Sequence, residues 1–243
     1  MATKNQKPKT KNQKPTPMRN IDVFCVFPDS VDATLRIGVV GKAIEHGVVG
    51  LRTFGFRDYI SEGRIDDSPY GGGAGMVLRV DVVARALESV YGVPAKEVKD
   101  GRRVVLTEPA GRRMSQSYVE EVSEGSDLTI ICGRYGGVDE RVWTELCTEA
   151  VSLGDFVLSG GEIAAAALAD AAFRRIEGVV GNSESLVGES FSDEDVIGPP
   201  VYTRPNEWDG APVPDVLLSG DHAKIRAWRE ERARSRASRG EPR

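Results

Sequence analysis

Residues 151–174 read VSLGDFVLSGGEIAAAALADAAFR and place a strand, a glycine loop and a helix in direct succession. The apolar run that begins at Val151 is typical of a buried strand. The loop contains the pair Gly160 and Gly161, and an alanine-rich helix is predicted from Ile163 to Arg175. Because this order of elements is the repeating unit of parallel sheets, the stretch predicts an α/β domain.

The same alternation of strands and helices recurs along the preceding chain. Further buried strands are predicted at IDVFCVF (21–27), VVGLRTFGF (48–56), RRVVLTEP (102–109) and DLTIICG (127–133). Helices are predicted over 80–90, 116–123 and 140–148, and from the Pro28-Asp29-Ser30 turn to about His46. We therefore expect a mainly parallel sheet in one domain that covers residues 20–181.

The charges of the chain are distributed unevenly. Residues 1–19 hold six Lys or Arg and no acid, and residues 222–243 hold eight against three acids, which leaves 18 basic and 34 acidic residues between them. An acidic body cannot be a non-specific nucleic-acid clamp, because such affinity depends on neutralising phosphates. RNA, if it binds, must contact local basic patches and the tails. Residues 1–19, with KNQKP twice, are predicted to be a disordered basic arm, and solvation alone would also explain them.

The C-terminal quarter has a different composition from the rest. Residues 182–200 are polar and lack periodicity, which predicts a flexible, functional linker. Residues 201–236 carry helix signals, the clearest in SGDHAKIRAWREERARS with Ser219 or Asp221 as N-cap, and predict a small helical domain, followed by a tail over 237–243. The chain has no membrane-length apolar run and no signal-peptide pattern, so we expect a cytoplasmic protein without a membrane partner.

Three cysteines, Cys25, Cys132 and Cys147, form an odd number without CxxC spacing. A disulfide framework and a structural zinc site are therefore not expected, and the thiols are best explained as small buried apolar groups. The two histidines are too few for a histidine-rich metal centre. No residue is predicted to be a metal ligand.

Glycine-rich loops are the strongest chemical signal in the chain. GRYGGVD (133–139) and LSGGE (158–162) follow predicted strands, where open α/β sheets bind ligands, and the turn at 108–111 would lie beside them. Neither loop matches a dinucleotide or Walker A motif, and tight turns explain such glycines at least as often as ligands do. A third loop, DDSPYGGGAGM (66–76), is costly to order, which suggests a close backbone approach to something.

Long motifs in this order resemble one known family. PYGGGAGM (69–76), CGRYGGVDERV (132–142), SLGDFVLSGGE (152–162), YTRP (202–205) and SGDHAKIRAWR (219–229) have the order and spacing of the bacterial tRNA (guanine-N1)-methyltransferases. The resemblance covers about residues 21–229. It implies a SPOUT-class α/β fold with a deep C-terminal trefoil knot, a homodimer, and methylation of the guanosine just 3′ of the anticodon in tRNA.

The resemblance also implies which residues form the site. S-adenosylmethionine would lie over the loops at 108–111, 133–137 and 153–161, with magnesium as a further candidate cofactor. The implied cofactor-binding residues are Glu108, Pro109, Gly111, Gly133, Tyr135, Gly136, Gly137, Leu153, Gly154, Phe156, Leu158, Ser159, Gly160 and Gly161. Each site would be completed by the linker of the other subunit, and the linker and helical domain would clamp the tRNA anticodon arm.

Two further residues match the catalytic positions of the family. Guanine N1 carries a proton, so a base must remove it as the methyl group arrives. The family uses a linker acid before a Ser-Phe pair, which is Glu189 here, and an arginine on the helix after the second glycine loop, which is Arg174. Arginine can stabilise negative charge that builds on guanine O6.

The chain departs from the family pattern at the implied site. Glu189 stands where aspartate is usual, and Gly136 stands where the usual GRYEG loop has a carboxylate. Residues 196–200 read VIGPP without the usual acid and with one extra residue, and the usual Ser-Pro-Gln-Gly turn is Glu-Pro-Ala-Gly at 108–111. Ser68 and Ala74 replace an arginine and a proline. Glu108 and Asp195 are candidates to replace the lost charge.

Three functions are compatible with these residues. The first is tRNA guanine-N1 methylation, which the YTRP and HAKIRAWR segments favour. The second keeps the knotted, donor-binding dimer but changes the acceptor to a small molecule such as a heteroaromatic nitrogen, which the altered linker and Gly136 favour. The third is a non-enzymatic RNA-binding protein, which the retained glycine loops disfavour.

Overall fold

The structure, a computed structural model, describes residues 18–181, 189–191 and 197–237. The chain divides into two units, one ending at Val180 and one beginning at Gly181. The first unit is an α/β domain, as predicted. Its elements in chain order are β1 (Asn20–Cys25), α1 (Pro28–Leu35), α2 (Gly38–Glu45), β2 (Gly50–Gly55), β3 (Asp66–Asp67), β4 (Val77–Leu78), α3 (Val80–Tyr91), α4 (Val98–Gly101), β5 (Arg103–Arg113), α5 (Gln116–Ser123), β6 (Leu128–Cys132), β7 (Glu149–Ser152) and α6 (Glu162–Arg174).

A five-stranded parallel sheet forms the centre of this domain, in the order β2-β1-β6-β5-β7. Alternate residues of each strand face opposite sides, so both faces are covered. On one face, side chains such as Ile21 and Val23 pack against α1, α2, α5 and α6. On the other face, Phe24 packs against α3 and α4. All five strands point the same way, and their carboxyl ends therefore meet at one edge of the sheet.

The N-terminal boundary lies slightly earlier than residue 20. The side chain of Met18 is fully buried, and its backbone N–H donates to the carbonyl of Ser123. The backbone N–H groups of Arg19 and Asn20 both donate to Asp127 Oδ1. Met18 and Arg19, predicted to belong to the arm, thus contact the domain, while residues 1–17 lie outside the described residues.

The prediction of one continuous helix from Pro28 to His46 is wrong, because the chain forms two helices there. Ile37 is extended between α1 and α2, and Gly38 has a φ of 62°, in the left-handed region that favours glycine. The second helix packs closely on the end of the first, since a Cβ on Gly41 would overlap the carbonyl group of Arg36. The apolar periodicity of both helices is continuous enough to hide this break.

Three other predicted elements differ in detail. Residues 66–76 are not loop throughout, because β3 pairs antiparallel with β4 and closes a short hairpin. Residues 142–146 of the predicted 140–148 helix form a π-helical turn. The strand predicted within 102–109, followed by a turn at 108–111, continues as β5 to Arg113, and its pairing with β7 is interrupted between Thr107 and Arg112, which both oppose Val151. The segment 108–111 therefore bulges out of the ladder.

The second unit contains β8 (Glu207–Trp208), β9 (Ala211–Pro212), α7 (Asp215–Leu218) and α8 (His222–Ala237). The strands β8 and β9 form an antiparallel hairpin. Asp221 is the N-cap of α8, as one of the two predicted alternatives, because its Oδ1 accepts the N–H groups of Ala223 and Lys224 at 3.1 Å each. Tyr202 packs on Trp228 with 6.2 Å between ring centroids.

Candidate functional site

A cleft opens at the carboxyl edge of the sheet, where β5, β6 and β7 approach their ends. Three loops form its walls, at 108–111, 133–137 and 153–161. This is the position where open parallel sheets bind ligands, since strand ends and helix N-termini offer free backbone groups. Twelve of the fourteen residues predicted to bind a cofactor line the cleft: Glu108, Pro109, Gly133, Tyr135, Gly136, Gly137, Leu153, Phe156, Leu158, Ser159, Gly160 and Gly161.

Gly111 and Gly154 are not part of the cleft lining, and each has a packing reason to be glycine. A Cβ on Gly111 would overlap the backbone of Ala150 and Val151, so this glycine lets the bulge return against β7. A Cβ on Gly154 would lie 2.6 Å from the ring of Phe156. Both glycines shape the loops that carry lining residues, and neither faces the space between the loops.

Gly161 joins the two main glycine loops. Its backbone N–H donates to the carbonyl of Gly133 at 2.8 Å. A Cβ at this position would overlap Thr107 Oγ1 and would also lie 3.0 Å from the Cα of Cys132 and the nitrogen of Gly133. The start of α6 is therefore pressed against the ends of β5 and β6, in a space that no side chain could share.

The loop after β6 is fixed against the hairpin of β3 and β4. The backbone N–H of Gly136 donates to the carbonyl of Met76 at 2.8 Å, and the N–H of Leu78 donates to the carbonyl of Gly137 at 3.1 Å. Tyr135 has a φ of 63°, which is rare for a residue with a side chain, and it bridges to Val77. A Cβ on Gly136 would be 3.1 Å from Met76 O, so the loop is tight at this position.

Arg134 is a lining residue that was not predicted, although it lies inside the GRYGG motif. Its guanidinium Nη1 donates to Glu162 Oε2 at 3.1 Å, and its Cζ lies 4.5 Å from the ring centroid of Phe27. The Glu162 side chain is only 8% exposed, and its Oε1 has no hydrogen-bond partner in the part of the chain that the structure describes. The ion pair connects the loop after β6 with the first residue of α6.

Glu108 is the acidic residue of the cleft lining. Its half-buried position withdraws the carboxylate from water and raises its pKa, and the negative charge of Glu140 raises that pKa further. The backbone N–H of Ala110 donates to the carboxylate and lowers the pKa in part. A carboxylate in this setting is destabilised in its charged form, which a cation would relieve.

The three cysteines are free and buried, as predicted. Burial raises the pKa of Cys132 well above its ordinary value, and burial raises the pKa of Cys147 to about 12. Because only the thiolate is a strong nucleophile, these two thiols are inert near neutral pH. Within the described residues, no group of three or more His, Cys, Asp or Glu side chains could hold a metal ion, so nothing there supports the magnesium prediction.

The two predicted catalytic residues lie in different units of the chain. Arg174 is the last residue of α6, in the first unit, and is half-buried. Glu189 belongs to the second unit, directly before Ser190 and Phe191. Ser190 Oγ accepts the backbone N–H of Gly198 at 3.0 Å. Asp195, named above as a candidate replacement acid, lies outside the described residues.

Comparisons with known proteins cover most of the chain. The family model for tRNA (Guanine-1)-methyltransferase TrmD matches residues 18–242. The chain belongs to this family. The tRNA (guanine-N(1)-)-methyltransferase of Levilactobacillus brevis is 44% identical over 224 residues, which cover 91% of this chain and 87% of that protein. The enzyme of the same name from Brucella ovis is 45% identical over 214 residues, covering 87% of this chain and 85% of that protein.

A third relative has a similar sequence identity to this chain. The Persephonella marina protein with the same name is 43% identical over 209 residues, 85% of this chain and 80% of its own length. Family membership makes this chain a methyltransferase and removes the non-enzymatic alternative. No helix among the described residues is long and apolar enough to cross a bilayer.

Proposed function

We propose that this methyltransferase transfers the methyl group of S-adenosylmethionine to N1 of a guanine in tRNA, at the guanosine just 3′ of the anticodon. The observation that carries the proposal is the family match over residues 18–242, together with relatives of 43–45% identity that are named tRNA (guanine-N(1)-)-methyltransferases. The match includes both glycine loops and the C-terminal unit, so it covers the cleft and the parts proposed to hold tRNA.

The cleft residues fit an S-adenosylmethionine molecule. Gly133, Gly160 and Gly161 carry no side chain into the cleft, so an adenine can approach the backbone at the strand ends closely. Leu153 and Leu158 supply apolar walls, and Glu108 supplies a negative charge for a ligand that carries a sulfonium. The bound molecule would supply an activated methyl group, and no described residue is needed to form a covalent intermediate.

The proposed fold is the knotted SPOUT arrangement. The segment 153–161 leaves the edge strand β7, passes the end of β5 and reaches the end of β6, where Gly160 bridges to Arg134. The chain then continues into α6 on the face that also carries α1 and α5. We propose that this crossing is the entry to a deep trefoil knot. A small helical C-terminal domain, built on α7 and α8, completes the proposed architecture.

The proposed chemistry is a proton transfer coupled to a methyl transfer. The Glu189 carboxylate takes the proton from guanine N1, and the N1 lone pair forms the new bond to the methyl carbon as the sulfur–carbon bond breaks. The Arg174 guanidinium stabilises the negative charge that develops on guanine O6. The sulfonium becomes a neutral thioether, so charge and atoms balance without a further reactant.

A homodimer is proposed as the active form, with each site completed by the partner's linker. Large apolar side chains are exposed beside the cleft, namely Phe27, Phe156, Val157 and Ile163, which are 51–86% exposed. Exposed apolar side chains that cluster are typical of protein interfaces. The partner's surface would cover them and would bring a linker acid to each cleft.

The second unit is proposed to hold the anticodon arm. Its helix α8 carries Lys224, Arg226, Arg229, Arg232, Arg234 and Arg236. Basic side chains on one helix can neutralise several phosphates, which the acidic body of the chain cannot do. Trp208, at the hairpin of β8 and β9, is 73% exposed and offers a surface on which a base can stack. A small-molecule acceptor has no support from the comparisons, because the relatives carry a tRNA enzyme's name.

A labelling assay tests the proposed reaction. The purified protein is incubated with unmodified tRNA and methyl-labelled S-adenosylmethionine, and the digested tRNA is analysed for N1-methylguanosine. The expected result is label in that nucleoside only, and none in a tRNA whose guanosine 3′ of the anticodon is replaced by adenosine. Absence of label from a tRNA that one of the relatives methylates would contradict the proposal.

Mixing two inactive variants tests the shared site. We expect Glu189→Gln to lower the methylation rate about 10²–10⁴-fold as a lost base, and Arg174→Ala to lower it about 10²–10³-fold. If the two residues of one site come from different subunits, remixed dimers regain about a quarter of the wild-type sites. If they come from one subunit, remixing restores nothing, and the shared-site proposal is wrong.

A further inference from the structure

The charge of the cleft is the starting point for this inference. Among its lining residues, which all lie in the described part of the chain, only Glu108 and Arg134 carry charge. The Arg134 guanidinium is neutralised by Glu162, whose Oε2 lies 3.1 Å from it. The Glu162 side chain is buried, and the Arg134 guanidinium, whose side chain is 25% exposed, lies against the ring of Phe27. The one uncompensated charge of the lining is therefore the negative charge of Glu108.

Glu108 has no cation of its own in the described residues. Among the described residues no ion pair reaches its carboxylate, and only the backbone N–H of Ala110 favours its charged form. The charge of Glu140, which has the same sign, raises the pKa of Glu108 further. A half-buried carboxylate without a partner is energetically unfavourable, and a structure keeps such a group where a ligand supplies the opposite charge.

The donor and the product of the proposed reaction differ in charge. S-adenosylmethionine carries a sulfonium and an ammonium against one carboxylate, so it has one excess positive charge. S-adenosylhomocysteine has lost the sulfonium and has no excess charge. The two molecules are otherwise nearly the same in shape, so a cleft can distinguish them most effectively through its electrostatic field.

We propose that Glu108 is the specificity-determining residue that makes this cleft prefer the positively charged methyl donor over the neutral product. The inference rests on the proposed function and deepens it. The uncompensated carboxylate attracts the excess positive charge of the donor, and this attraction ends when the methyl group leaves. Glu108 thereby favours donor entry and product release at the same site.

Binding of both molecules to a charge-neutral variant tests the inference. Glu108→Gln keeps the shape of the side chain and removes its charge. By calorimetry at low salt, we expect the variant to bind S-adenosylmethionine about tenfold more weakly and S-adenosylhomocysteine less than about threefold more weakly. Rising salt should weaken donor binding to the wild type more than to the variant, because salt screens the lost interaction.

Two control variants separate this role from a general effect. Glu108→Asp keeps the charge and should retain the donor preference. Glu124→Gln removes the same charge from an exposed acid between α5 and β6, at the opposite edge of the sheet, and should leave both affinities unchanged. An equal loss of affinity for donor and product in Glu108→Gln, or no loss for either, overturns the inference.

The outcomes also separate this inference from the proposed function. If the wild-type protein binds the donor and methylates tRNA while Glu108→Gln keeps the wild-type donor-to-product ratio, only the role of Glu108 fails. If the wild-type protein binds neither molecule, the proposed function itself fails. Thermal unfolding of each variant, measured beside the titrations, distinguishes a loss of affinity at the cleft from a loss of folded protein.

Discussion

The backbone N–H of Gly161 donates to the carbonyl of Gly133 at 2.8 Å, and this bond joins the start of α6 to the end of β6. The two glycines belong to loops that are 28 residues apart in sequence, and both line the same cleft. Because Thr107 Oγ1 also donates to the carbonyl of Ile131 and accepts the N–H of Gly133, the strands β5 and β6 and the start of α6 are fixed around one small volume. The geometry of the cleft depends on that volume staying free of side chains.

Substituting Gly161 by alanine should damage the cleft. Its Cβ would overlap Thr107 Oγ1, and backbone atoms of Cys132 and Gly133 leave no room for the side chain to shift. We expect a loss of about 1–3 kcal/mol in the free energy of unfolding, typical of overpacking, and at least about tenfold weaker donor binding. Urea unfolding and calorimetry measure the two effects. Gly101→Ala is the matched control, because a Cβ there meets nothing within 4 Å; wild-type values for Gly161→Ala would contradict the account.

Removing Arg134 should leave Glu162 as a buried, unpaired carboxylate. The Glu162 side chain is 8% exposed, and Arg134 is its ion-pair partner at 3.1 Å. We expect Arg134→Met to cost about 3–5 kcal/mol in the free energy of unfolding, because an uncompensated buried charge remains. The double variant Arg134→Met with Glu162→Gln should recover part of that loss, which a double-mutant cycle measures.

An ion pair whose two side chains are both exposed provides the control for the Arg134 substitution. Lys96 pairs with Glu145 at the surface, where the side chains are 68% and 46% exposed, so Lys96→Met should produce no measurable change in urea unfolding. Strictly additive effects of the Arg134 and Glu162 substitutions would show that the two side chains do not act as a pair.

The free protein should become more stable when Glu108 loses its charge. Burial, and then the charge of Glu140, raise the pKa of Glu108 above its ordinary value. Between the ordinary and the raised pKa, the unfolded chain releases this proton first, so the stability of the wild type falls as pH rises through that window. We expect Glu108→Gln to unfold at a higher temperature than the wild type at pH about 7.5, with a difference that vanishes near pH about 4.

Saturating S-adenosylmethionine should make the wild type unfold at a higher temperature than Glu108→Gln. The wild type binds the donor more tightly, so the bound donor stabilises it more. Differential scanning calorimetry with and without S-adenosylmethionine measures both effects. A variant that is less stable than the wild type without ligand at neutral pH would show that Glu108 is a structural residue.

Much of the fold follows from the sequence, because periodicity is a local property. Local patterns of apolar residues predict the five parallel strands and the helices α3, α5 and α6. The break between α1 and α2 is not, because it depends on Gly38 and on the close approach of Gly41 to Arg36. The bulge at 108–111 is likewise invisible, because it arises only when β5 pairs with Val151.

The candidate site shows the same division. Glycine motifs after strands predicted most of the cleft lining. The glycines alone were equally compatible with tight turns, and the family resemblance indicated that these loops bind a ligand. Arg134 and Glu162 each lie in a recognised motif, yet their pairing across 28 residues appears only in the folded chain. Gly111 and Gly154 were predicted to bind a cofactor, but their neighbours Val151 and Phe156 account for them by packing.

The most direct test of the central claim is mass spectrometry of tRNA from cells with and without the gene for this protein. The account predicts that N1-methylguanosine at the position 3′ of the anticodon is present with the gene and disappears from the same tRNAs without it. Reintroducing the wild-type gene should restore the methylated nucleoside, and the Glu189→Gln gene should not. Unchanged N1-methylguanosine at that position after loss of the gene, in cells with no second enzyme of this family, would contradict the account.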